Sequence, residues 1–84
     1  MWDQESATRL GTSVRRFRTE RGLSQESLAF QAGITKNQLQ LIEFGKGSGA
    51  TDRPGPSNPK MSTLSGIARI LNITVAELLA DAGL

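Results

Sequence analysis

Helix stop and start signals punctuate this chain so closely that only short helices fit between them. The stretch from about Asp3 to Arg21 holds no proline and is followed by Gly22, suited to the left-handed position after a helix. Ala7, Leu10, Val14 and Phe17 recur there at helical spacing and form one apolar face, with Arg9 and Arg16 opposite. Ser24 is expected to cap a second helix that carries Leu28, Ala29 and Ala32 inward and stops at Gly33. Thr35 is expected to cap a third, with Gln38 completing a capping box, Leu39 and Ile42 inward, and an end near Gly45. The corner between these two helices, Ala32-Gly33-Ile34-Thr35, suits a tight turn with its glycine left-handed. A fourth helix is expected from about Met61 to Leu71, with Leu64, Ile67, Ala68 and Leu71 inward and Asn72 at the stop. Thr74-Val75-Ala76-Glu77 reads as a capping box that opens a fifth helix through Leu78 and Leu79. The expected class is all-α: a compact five-helix domain with no strand alternation and no internal repeat.

Eighty-four residues can bury one core, so a single domain over 1–84 is expected. Residues 46–59 carry three Gly and three Pro and read as a long surface insertion, too short for a domain boundary. The chain has no cysteine, so neither disulfides nor thiolate metal sites can add to the core. It has no histidine either, which removes the commonest general base and the commonest metal ligand. Gly47 and Gly49 precede no Gly-Lys-Ser/Thr sequence of a phosphate-cradling loop. An enzyme is therefore not expected, and neither a metal nor a cofactor. The net charge of +2 is compatible with nucleic acid without arguing for it. Its distribution says more: Arg9, Arg15, Arg16, Arg18 and Arg21 lie close together in the first helix. No apolar run approaches a membrane span, and Met1-Trp2-Asp3-Gln4-Glu5 lacks the pattern of a signal peptide, so a cytoplasmic protein is expected.

Three groups of residues together resemble a known family. They are Leu23-Ser24-Gln25-Glu26-Ser27-Leu28-Ala29, then Ala32-Gly33-Ile34-Thr35, then Leu39 with Ile42-Glu43-Phe44-Gly45-Lys46. Their spacing is similar to that of the Cro and phage-repressor (XRE-like) helix-turn-helix DNA-binding family. Asn58-Pro59, Leu64, Ile67-Ala68, Leu71-Asn72-Ile73-Thr74-Val75 and Glu77-Leu78-Leu79 fit that family's last two helices, so the resemblance covers roughly 10–80. The departure is the insertion: the family has about one residue between Gly-Lys and Asn-Pro, and here residues 47–57 intervene. The resemblance implies a transcriptional regulator, in the first instance a repressor, that binds a two-fold operator in double-stranded DNA as a homodimer. The alternative is an antitoxin-like module that binds a protein partner as well as DNA.

In a helix-turn-helix the second helix lies in the major groove with its N-terminal residues at the base edges. On a helical wheel Leu39, Ile42 and Glu43 share one side of the third helix. Asn37, Gln40, Leu41 and Phe44 project to the other, with Lys36 leading and Gln38 at the edge. Lysine suits guanine N7 and O6, asparagine and glutamine suit adenine N6 and N7, and an apolar side chain suits the thymine methyl. Lys36, Asn37, Gln38, Gln40 and Leu41 are thus the expected base readers. Gln25, at the start of the second helix, is an expected phosphate contact and a support for Lys36. Lys46 and Arg53 are further phosphate candidates, and Lys60 a weaker one. Arg18 and Glu43 both fall beside core positions, and the family resemblance implies that they pair as a structural ion pair. The segment Leu78–Leu84 is weighed both as a dimer contact and as simple packing of the last helix.

Overall fold

The computed structural model describes residues 2–47 and 55–84. Among the described residues five helices follow in order: α1 (Gln4–Glu20), α2 (Gln25–Ala32), α3 (Lys36–Phe44), α4 (Met61–Leu71) and α5 (Val75–Asp81). Among the described residues there is no strand beyond one isolated antiparallel bridge, Lys46 with Pro56. Four helices begin on a side-chain cap. The Asp3 carboxylate accepts from the Ser6 N–H and the Ser24 hydroxyl from the Ser27 N–H. Thr35 with Gln38 and Thr74 with Glu77 form full capping boxes, each satisfying two otherwise orphaned donors. Only α4, which starts after Lys60, has no side-chain cap.

The helix ends share one construction. The N–H groups of Leu23, Ile34, Lys46, Ile73 and Leu84 each donate to a carbonyl five residues earlier. The residue before each is left-handed: Gly22, Gly33, Gly45, Asn72 and Gly83. This six-to-one hydrogen bond satisfies the last free carbonyls and turns the chain sharply back. At three of these corners the next helix begins one residue further on, at Ser24, Thr35 or Thr74. The apolar residue between stop and cap (Leu23, Ile34 or Ile73) packs against the core.

α1 packs on α3 and α5, α2 on α3 and α4, and α4 on α5. Leu10, Val14, Leu28, Leu39, Ile67, Leu71 and Leu78 are fully buried where these faces meet. At about 25 cal/mol per Å² of apolar area, this cluster is the main stabilising term in a chain without cross-links. Gly11 lets α1 approach α3 to backbone distance: a Cβ there would stand 2.3 Å from the Ile42 carbonyl oxygen and 2.6 Å from that of Glu43. Leu78 and Ala82 are buried, so much of the apolar content of segment 78–84 is spent within the chain; Leu84 stays exposed.

The end of α5 is tied to α1 by a bridge between Asp81 and Arg16, which also pairs with Glu20 and stacks over the Phe17 ring. Hydrogen bonds from Arg16 and then Ser13 hold the Asp81 carboxyl below its ordinary pKa. A carboxylate with a depressed folded pKa stabilises fully above its unfolded value, and that contribution is lost as pH falls through the folded one. Stability is therefore expected to decline below roughly pH 4, and Asp81→Asn to flatten that decline. Urea midpoints at neutral and acid pH check this, and an unchanged acid slope would remove Asp81 from the account.

Candidate nucleic-acid interface

α2, the Gly33 corner and α3 form the helix-turn-helix. Its second helix buries Leu39, Ile42 and Glu43 on one side. Lys36, Asn37, Gln38 and Phe44 are exposed, and Gln40 and Leu41 are half-buried at the margin. A stable inner face thus holds an outer face of donors, acceptors and apolar groups that the core does not need.

The inner face is braced by charge. Arg18 Nε donates to Glu43 Oε2 at 2.7 Å and its second guanidinium nitrogen donates to Oε1 at 3.0 Å. Its third nitrogen donates to the Leu23 carbonyl at 2.8 Å. The Glu43 side chain is 2% exposed and that of Arg18 11%, so the pair lies almost out of water. Such a pair is tolerable because its geometry is bidentate and the third nitrogen of the guanidinium finds the Leu23 carbonyl.

Gln25 joins this network. Its Nε2 donates to Glu43 Oε1 at 3.0 Å, and its Oε1 accepts from Gln40 Nε2 at 3.4 Å. The expected support of Lys36 by Gln25 is replaced by support of Gln40, because the buried carboxylate captures the Gln25 amine and turns its carbonyl toward Gln40. Gln38, an expected base reader, spends its carbonyl on the Thr35 N–H at 2.8 Å and offers outward only its amine. Lys46 and Lys60 are exposed and, with Gln38, Leu41 and Asn58, line an open groove beside α3. Arg53 lies outside the described residues.

Two contacts were absent from the sequence-based expectations. The Trp2 indole N–H donates to the Ser57 carbonyl, and Gln4 Nε2 donates to the Gly45 carbonyl at 2.9 Å. Together they fasten the start of α1 to the end of α3 and to the segment returning from the insertion. The Gly47 N–H to Gly55 carbonyl bond (2.8 Å) and the Ser57 N–H to Gly45 carbonyl bond (3.0 Å) close the base of that insertion. A lone tryptophan near a polar end is the sole sequence signal for this clasp, and it says nothing about the partner.

A helix-turn-helix family model matches residues 14–48. An uncharacterized HTH-type transcriptional regulator of Sinorhizobium medicae is 38% identical over 73 residues, covering 87% of this chain and 45% of the relative. The cryptic phage CTXphi transcriptional repressor RstR of Vibrio cholerae is 30% identical over 70 residues, covering 83% of this chain and 54% of RstR. An uncharacterized HTH-type transcriptional regulator of Archaeoglobus fulgidus is 30% identical over 67 residues, covering 80% of this chain and 81% of the relative. Among solved structures, the restriction-modification controller protein C.AhdI of Aeromonas hydrophila superposes with a TM-score of 0.70 at 30% identity, covering 86% of this chain and 94% of that one. The biofilm master regulator SinR, in complex with DNA, gives a TM-score of 0.67 at 28% identity, covering 83% and 97%. The chain belongs to the helix-turn-helix family of transcriptional regulators, in its XRE-like branch. It spans about half the length of the Sinorhizobium and Vibrio relatives.

Proposed function

We propose that this chain binds an operator in double-stranded DNA as a homodimer and acts as a repressor, with α3 in the major groove. The observation that carries the reading is the two-sidedness of α3: Leu39, Ile42 and Glu43 are buried, while Lys36 and Asn37 stand exposed in its first turn and Gln38 keeps its amide outward. Base-edge recognition needs polar side chains there that folding does not consume. The likeness to SinR in complex with DNA and to the repressor RstR supports it. Asn37 and Leu41 face the bases, with Lys36, Gln38 and Gln40 beside them. Lys46 and Arg53 serve the phosphates, Lys60 adds charge just before α4, and Gln25 keeps one amide proton for a phosphate of its own. No metal or cofactor enters this reading. A second reading, in which the domain also binds a protein partner, is favoured by the likeness to the SinR protein/SinI protein complex, at 30% identity and a TM-score of 0.68.

The test is selection of bound duplexes from a random DNA pool. Enrichment of an inverted repeat with half-sites one helical turn apart, or a multiple of that, is the expected result. A pool that stays random, or a single unrepeated half-site, would overturn specific dimeric binding. Asn37→Ala is expected to cost about 1–3 kcal/mol on the selected site and to relax preference at one position. Unchanged discrimination would remove Asn37 from the readers.

A further inference from the structure

We propose that Gln40 reads a base-edge amino group, on adenine or cytosine, because a hydrogen-bond relay beginning at Arg18 holds its amide in one sense, carbonyl outward. This inference rests on the operator-binding reading above and adds to it which base chemistry one position takes.

The sense follows from counting protons. A guanidinium has no acceptor and an ionised carboxylate has no donor. Arg18 donates twice to Glu43, and Glu43 Oε1 accepts a further bond from Gln25 Nε2 at 3.0 Å. The Gln25 amide cannot be reversed, since its carbonyl would then oppose a buried carboxylate. Its Oε1 therefore faces away from Glu43 and can meet only a donor. Gln40 Nε2 stands there at 3.4 Å, the longest link of the relay. One Gln40 amide proton is thereby committed to Gln25, and the Gln40 carbonyl oxygen is left free.

A glutamine that can flip serves any base. One held with its carbonyl outward is matched by adenine N6 or cytosine N4, both donors, and its second amide proton can still reach adenine N7. Guanine presents acceptors at both N7 and O6, and thymine an acceptor at O4. Either could accept that second proton, but neither offers the Gln40 carbonyl a donor, so that carbonyl is left unpaired at the base edge and both bases are disfavoured. Gln25 is accordingly a positioning residue, since it acts on the base through Gln40. Gln38 makes the contrast: its carbonyl is spent on the Thr35 N–H, so its amide is held in the opposite sense.

Two measurements test this on the whole chain. Hydrogen exchange of the side-chain amides, read by nuclear magnetic resonance without DNA, should find the Gln40 amide protected and its exchange quickened several-fold in Gln25→Met. Selection from a random pool, run on the wild type, Gln25→Met and Gln40→Met, should locate the position that Gln40 reads as the one flattened in Gln40→Met. The wild type should favour adenine or cytosine there on one strand by about tenfold. Gln25→Met should lose that preference while keeping preference elsewhere, whatever its general loss of affinity. Guanine or thymine at that position in the wild type, or preference left intact in Gln25→Met, would overturn the inference. A wild type that enriches no sequence would instead overturn operator binding and the base choice built on it. The exchange measurement then still decides the relay, and an unprotected Gln40 amide would overturn that too.

Discussion

Gly11→Ala is expected to lower the stability of the fold by about 2 kcal/mol or more. A single methyl at that position would stand 2.3 Å from the Ile42 oxygen, 2.6 Å from the Glu43 oxygen and 2.8 Å from the Glu43 carbonyl carbon. All three atoms are backbone, so no side chain can swing aside. Either α1 or α3 must move, and α3 is held by Leu39, Ile42 and the Arg18–Glu43 pair. Overpacking in a well-filled core costs about 1–3 kcal/mol, and a rigid backbone obstacle lies at or beyond the top of that range. Alanine gains about 1 kcal/mol over glycine in helix propensity, which does not offset it. Total stability for a chain of this length is on the order of 5–10 kcal/mol, so a sizeable share of the margin is consumed. Gly66→Ala is the comparison: its methyl would meet the Ala32 oxygen at 2.9 Å, a smaller overlap that the propensity gain nearly cancels. Urea unfolding of the two variants gives the difference directly. A Gly11→Ala protein as stable as the wild type would show that α1 and α3 can part at no cost.

Glu43→Ala is expected to cost about 3–5 kcal/mol, because it strands the Arg18 guanidinium in a place water hardly reaches. Gln25 loses its acceptor in the same step. DNA binding should fail through loss of folding, since Glu43 lies on the buried side of α3. Replacing both charges, as in Arg18→Met with Glu43→Leu, should recover much of the stability, because an apolar pair of similar volume carries no desolvation cost. A double-mutant cycle in urea isolates the coupling, expected toward the upper end of about 0.5–3 kcal/mol. A coupling near zero would mean that the two charges act independently, and the brace would be abandoned.

What the sequence made legible is what closes within a turn of helix. Ser24, Thr35 and Thr74 bond the N–H three residues on, and Gly22, Gly33, Gly45 and Asn72 turn the chain where they stand. Those bonds depend on neighbours in sequence, so residue types alone announce them. The contacts that shape the interface are of another kind. Trp2 with Ser57, Gln4 with Gly45, and Gln25 with Glu43 are separated by 55, 41 and 18 positions. An indole or an amide does not declare a partner at that range. Arg18 and Glu43 sit between the two cases: their wheel positions placed both beside the core, and family resemblance supplied the pairing. Gly11 carried a partial signal, a residue without a side chain on the face of Ala7 and Val14. That signal does not reveal that another backbone lies against it.

The short ladder at residues 45–47 and 55–57 has a consequence for how such a chain can change. Its bonds run between backbone groups of the two stems, and Trp2 and Gln4 buttress them from α1. Neither set depends on the identity of residues 48–54. Closing a longer segment over the same stems costs only about 0.6 kcal/mol for each doubling of its length. The position therefore behaves as a splice port: peptides of different length and charge can be exchanged there while the five helices keep their packing. Because one stem continues directly from α3, any such exchange begins where that helix ends. Selection could therefore rework the sequence between the stems while the hydrophobic core stays untouched.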